Sequence, residues 1–139
     1  MGFPENDRTN RPCLGVRGIG NDILEINRIR KTIEKHGNHF YEKIFTETEI
    51  EYCLSYKDPA SHLAGRFSAK EAIAKALGCG IGEKMSWQDV ETYRSGLGKP
   101  EVNFSGAALE QLNRLGGKSC HLSLSDEHSV ALAFAVIET

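Results

Sequence analysis

The first fourteen residues, starting MGFPENDRTNRPC, show no hydrophobic period and hold two of the four prolines, so 1–14 reads as a flexible extension. A myristoylation start would want Ser or Thr where Asn6 stands, and the match is poor. Order begins at VRGIG, a short strand from Val16 to Gly20. Ile23, Ile26, Ile29 and Ile33 then recur at steps of three and four, which predicts an amphipathic helix ending near Gly37. Those boundaries put Asp22 at the strand-to-helix junction, where an N-cap is its ordinary role. The opposite face carries Arg28, Arg30, Lys31 and Lys35, a pattern suited equally to solvent or to an acidic partner.

Thr46 followed by Glu49 forms a capping box that opens a short helix. Asp58 as N-cap and Pro59 at the first helical position start a longer one, which Gly78 stops. Along it Leu63, Phe67, Ala74 and Leu77 form an apolar stripe, while Glu71, Lys75 and Gly78 share a face. Taken alone, Glu71 and Lys75 are an ordinary i,i+4 surface pair. The glycine series GCGIG is a weak phosphate signal, because phosphate-binding loops usually precede a helix and this one follows.

Beyond it, SWQDVETYR reads as a strand, SGLGKP as a turn and PEVNF as the returning strand. SGAALEQLNRLGG is a helix capped by Ser105 and stopped by Gly116. Two strands, Cys120 to Ser125 and Ser129 to Glu138, close the chain around a turn from Asp126 to His128. Their apolar residues have both parities, Leu122 and Leu124 on one strand, Val130, Leu132 and Phe134 with Ala131, Ala133 and Ala135 on the other. Such strands are expected to be covered on both faces. Mixed helices and strands predict the α+β class, with 15–139 as a single domain.

Composition narrows the function classes. A formal net charge of -2 over 139 residues gives no overall attraction to nucleic acid or anionic membrane, so partners must be local. Cys13, Cys53, Cys79 and Cys120 stand far apart without zinc-site spacing, and neither disulfides nor structural zinc are expected. No apolar run is long enough to span a membrane and the start lacks a signal-peptide core, which points to the cytoplasm.

In order and spacing, GIGNDILEINRI, FTETEIEY, GRFSAKEAIAKALGCGIG, LGKP and HLSLSDEHSVALAFAVIE together resemble a holo-acyl-carrier-protein synthase, the short single-repeat class of the 4'-phosphopantetheinyl transferase superfamily. The resemblance runs from about Gly15 to the C-terminus. Its most specific parts are G-x-D-[IVL] around Asp22 and F-x-x-K-E-A-x-x-K-A from Phe67 to Ala76. It implies the family fold, an antiparallel sheet with packed helices assembled as a homotrimer with active sites between subunits. It also implies transfer of 4'-phosphopantetheine from coenzyme A to a serine of apo acyl carrier protein, in support of fatty acid biosynthesis.

Residue by residue, the resemblance makes Asp22 and Glu71 the carboxylates for Mg²⁺, which favours one or two such ligands beside phosphate oxygens. Lys75 then lies over the same phosphates. Arg66, Gly78, Cys79, Gly80 and Asp126 fall at coenzyme A positions, Cys79 standing where the family usually has a hydroxyl residue. Lys70 matches a basic family position and suits either substrate or packing. Asp126 serves either a neighbouring subunit's site or a plain turn. Arg28 matches the surface that docks the acidic carrier, and Arg30, Lys31 and Lys35 extend it. The general base stays open among Glu71, Asp126 and a water on the metal; the last is favoured because carboxylates bound to Mg²⁺ are poor bases. Two rival classes, a non-catalytic carrier-protein or coenzyme A binding module and a magnesium-dependent pyrophosphate hydrolase, each explain part of the motif set.

Overall fold

The computed structural model describes residues 15–82 and 85–139; the extension expected over 1–14 and Cys13 lie outside them. Strand β1 (Val16–Glu25) leads into α1 (Ile26–His36), α2 (Asn38–Ile44), α3 (Glu47–Leu54) and the long α4 (Pro59–Ala76). A 3₁₀ turn (Trp87–Asp89), the hairpin β2 (Val90–Arg94) and β3 (Pro100–Phe104), α5 (Gly106–Arg114), β4 (Ser119–Glu127) and β5 (Val130–Glu138) follow. The first strand pairs with the last, antiparallel from Val16↔Glu138 to Glu25↔Val130, and β5 also pairs with β4, giving the order β1-β5-β4. β2 and β3 form a separate ribbon. The α+β class with an antiparallel sheet and packed helices is what folds.

β1 runs five residues past its expected end at Gly20, so Asp22 lies inside the strand opposite Ala133 and caps no helix. A short isoleucine run suits either period, and pairing of Ile23 with Leu132 decides for the strand. α1 starts after Glu25 without a side-chain cap; the Ile26 N–H donates to the Ser129 carbonyl instead, at 2.7 Å. α2, which has no clear sequence signal, buries Phe40 and Ile44, one turn apart. The capping box of α3 forms as expected, the Glu49 N–H donating to Thr46 Oγ1 and the Thr46 N–H to Glu49 Oε1.

Pro59 opens α4, but the Asp58 carboxylate makes no cap hydrogen bond; Arg30 holds both its oxygens at 2.7 Å. At the other end the Cys79 N–H donates to Ala74 and the Gly78 N–H to Lys75, with Gly78 at φ 75°, a Schellman closure. α4 is buried nearly all round rather than along one stripe. Its far end packs Ile73 and Leu77 with Met85, Leu112, Leu122 and Ile137, and its near end packs Leu63 and Ala64 with Leu24, Ile29, Phe40 and Phe45.

Lys70 goes inside with it, fully buried 2.8 Å from Glu49 and donating to the Trp87 and Val90 carbonyls. Glu49 accepts in addition from the Thr92 N–H and hydroxyl, both at 3.0 Å, so one carboxylate ties α3, α4 and β2 together. Lys70 therefore serves packing.

Two further boundaries and one cap differ from expectation. SWQDVETYR begins as the 3₁₀ turn and becomes a strand only at Val90. From that turn Asp89 Oδ2 accepts the Ala108 N–H, supplying to α5 the cap expected of Ser105, whose side chain makes no cap bond. Asp126 lies within β4 opposite Ala131, and the turn shrinks to His128 and Ser129, with His128 at φ 52°. Finally, α4 covers only one face of the sheet. Ala131, Ala133, Ala135 and Ile137 are buried, whereas Ile19 (62% exposed), Ile23 (69%), Leu132 and Phe134 (both 42%) line the open face.

Candidate active site

Glycines bring the reactive groups together. Gly18, Gly20 and Asp22 point to the α4 side of β1, as alternate residues of a strand must. A Cβ on Gly18 would stand 1.8 Å from the Ala76 carbonyl oxygen, and one on Gly20 only 1.9 Å from that of Ala72. Two residues of strand advance about 6.6 Å and four of helix about 6 Å, so strand and helix keep step while running in opposite directions. The next step sets Asp22 beside the α4 turn that carries Glu71.

Burial pushes the Glu71 carboxyl above its ordinary value, the charge of Asp22 pushes it further, and Lys75 acts the other way. The Lys75 ammonium lies 3.6 Å from Asp22 Oδ1 and donates to the Asn21 carbonyl at 2.9 Å, so it leans towards the strand rather than serving as a plain partner of Glu71. Asp22, Glu71 and Lys75 are thus assembled by two elements far apart in sequence. Among the described residues no group of three or more His, Cys, Asp or Glu side chains could hold a metal. Two facing carboxylates fit Mg²⁺ when phosphate oxygens and waters complete its shell.

Gly78, Cys79 and Gly80 leave α4 just past Lys75. Gly78 and Gly80 are exposed, nothing lies within 4 Å of a Cβ built on either, and the half-buried Cys79 packs against the core. Cys53, Cys79 and Cys120 are thiols, and burial raises Cys53 to about 11 and Cys120 to about 12, out of the reactive range. Arg66 faces α3 instead of β1. It is 3% exposed, its Cζ sits 4.2 Å from the centre of the Tyr52 ring, and its Nε has no hydrogen-bond partner.

Within the chain Asp126 stands apart from the carboxylate pair, since β5 separates its strand from that of Asp22 by about 10 Å. It is exposed in a cleft of about 470 Å³ lined also by Ile23, Glu127, His128 and Leu132. On α1, Arg28, Lys31 and Lys35 are solvent-facing, but the guanidinium of Arg30 is committed to Asp58. Sequence reasoning missed Tyr52 and the buried reach of Glu49. The capping box already accounts for Glu49, and nothing in EIEYCLSY sets Tyr52 apart.

A strand laid glycine to backbone against a buried helix thus sets two carboxylates and a lysine side by side along one seam. Residues 18–135 match the family model of the 4'-phosphopantetheinyl transferase superfamily. The holo-[acyl-carrier-protein] synthase of Shewanella amazonensis is 44% identical over 124 residues, covering 89% of this chain and 99% of the relative. The crystal structure of that of Neisseria meningitidis superposes with a TM-score of 0.83 at 38% identity, covering 90% of this chain and all of the other. That of Helicobacter pylori, solved in complex with coenzyme A, gives 0.76 at 34% identity, covering 86% and 98%. The chain belongs to the 4'-phosphopantetheinyl transferase superfamily and, within it, to the holo-[acyl-carrier-protein] synthases.

Proposed function

We propose that this chain transfers 4'-phosphopantetheine from coenzyme A to a serine hydroxyl of apo acyl carrier protein, releasing adenosine 3',5'-bisphosphate. The observation that carries the proposal is the convergence of Asp22, Glu71 and Lys75 on one seam between β1 and α4. Asp22 and Glu71 would hold Mg²⁺, which when bound neutralises the charge gathering on the pyrophosphate leaving group. Lys75, half exposed and already leaning over Asp22, supplies a mobile positive charge to the same phosphates. The exposed glycines 78 and 80 leave room for the substrate to pass close to the backbone, alongside Cys79.

Arg66 is suited to the 3'-phosphate of coenzyme A. A covered guanidinium that no carboxylate pairs among the described residues, with an orphan Nε, is costly unless an anion completes it. Arg28, with Lys31 and Lys35, offers the acidic carrier protein a positive face on a chain of net charge -2. We read 15–139 as one domain, closed by the pairing of its first and last strands, and the assembly as a homotrimer built on the open apolar face of the sheet. In that assembly Asp126 would reach a neighbour's site.

Mass spectrometry of an apo carrier protein incubated with the chain, coenzyme A and Mg²⁺ tests the reading. The expected result is the phosphopantetheine mass increment on the carrier. An unmodified carrier with intact coenzyme A would indicate a binding module, and an unmodified carrier with cleaved coenzyme A a pyrophosphate hydrolase.

A further inference from the structure

Two pairs spaced by four residues face one another where α3 meets α4. Tyr52 and Tyr56 lie on one side, with hydroxyls 2.8 Å apart, and His62 and Arg66 on the other. The Arg66 guanidinium sits 4.2 Å over the face of Tyr52, and the His62 ring stacks on Tyr56 at 3.7 Å with 20° between planes. The two tyrosine rings meet edge to face at 5.2 Å. Each member is thus braced by another.

The arrangement does more for Arg66 than fill space. An arginine in this position has four rotatable side-chain bonds and, among the described residues, no carboxylate to hold it. The aromatic face attracts the cation and fixes the guanidinium plane without consuming its N–H donors, which stay available to an anion. A carboxylate in place of Tyr52 would neutralise the charge instead. Burial and then the charge of Arg66 push His62 below the ordinary imidazole value, against the opposing pull of the Asp126 and Asp58 carboxylates.

We propose that Tyr52 is a positioning residue for coenzyme A, its ring face holding the Arg66 guanidinium in the plane that receives the 3'-phosphate, with the Tyr56–His62 stack as its brace. This rests on the reading of Arg66 above. The ring face carries the role; the Tyr52 hydroxyl is engaged elsewhere, with Tyr56 and Arg94.

Calorimetric titration of the full chain with coenzyme A and with 3'-dephospho-coenzyme A, alongside steady-state kinetics, tests it. Tyr52→Phe should bind coenzyme A within about twofold of wild type. Tyr52→Met, of similar size but without a π face, should lose about tenfold. That loss should vanish for the dephospho ligand and appear in KM for coenzyme A, with kcat and KM for the carrier protein unchanged. Should Tyr52→Phe or Tyr52→Met lower the melting temperature, binding is compared at a temperature where all variants are folded. A Tyr52→Met protein that binds both ligands as wild type does, or a Phe variant as weak as the Met one, overturns the proposal. Arg66→Gln separates the two failures: a loss there without one in Tyr52→Met sinks the positioning role alone, and no loss in either sinks the assignment of Arg66 with it.

Discussion

Glu71 is held against its own preference. Burial and the facing charge of Asp22 both disfavour its ionised form, and only Lys75 relieves it. In metal-free protein at neutral pH that repulsion is a cost to stability, and a neutral isostere removes it. Glu71→Gln is therefore expected to melt slightly higher than wild type in EDTA, by about 1–3 °C, while losing transfer activity by about a hundredfold or more. Added Mg²⁺ should raise the melting temperature of wild type and not of the variant. Thermal scans with and without Mg²⁺ check this, and a Gln variant with full turnover at limiting Mg²⁺ would remove the metal role of Glu71. The residue's chemistry was legible only in part. The motif singled out Glu71 and Asp22 against ordinary local roles, a helix cap for Asp22 and a surface pair for Glu71, and the strand that carries Asp22 removes the first of these.

Between elements, the decisive contact is backbone on backbone. Gly18 and Gly20 let β1 lie against the α4 carbonyls at a distance no side chain tolerates. Gly20→Ala must push a methyl group into the Ala72 oxygen, and since both partners are main chain neither can turn away. The expected cost is about 3 kcal/mol or more in denaturant unfolding, with activity falling because Asp22 is displaced from Glu71. Unchanged stability in that variant would mean that the seam is looser than described. Glycine reads in a sequence as a turn or a breaker. Here its signal is the close approach of a helix from fifty residues away, which no local pattern reveals. The helix itself was legible at both ends, through Pro59 and Gly78, but not in its burial. Whether Lys70 served substrate or packing was open in the sequence, and the aromatic partner of Arg66 was invisible there, because Glu49 and Tyr52 both come from α3.

For the whole molecule, the distribution of charge and apolar surface is what matters. Arg28→Glu should raise KM for the carrier protein about tenfold or more, leave coenzyme A binding unchanged, and do so less at high salt, since an exposed charge on α1 acts through a screened field. Equal damage to coenzyme A binding would put Arg28 elsewhere. The open sheet face, with Ile19, Ile23, Leu132 and Phe134, is a larger exposed apolar patch than scattered surface residues make. Light scattering should give three times the chain mass, and Phe134→Glu should dissociate the assembly and abolish activity together. An active species of single-chain mass would refute the shared site.

By itself the sequence determined the α+β class, the start of α3, both ends of α4 and the β2–β3 hairpin, and it marked Asp22, Glu71 and Lys75 as candidates, because capping boxes, helix stops, hairpin turns and short motifs are written in neighbouring residues. Tertiary structure decided the rest. Strand pairing with β5 carried β1 past Gly20 and moved Asp22 from a cap to the seam; a carboxylate on α3 drew Lys70 inside; and Asp89, sixteen residues before Ser105, supplied the N–H acceptor for α5. Each outcome turned on a partner distant in the chain, whose pairing or hydrogen bond outweighed a local preference of a kilocalorie or less.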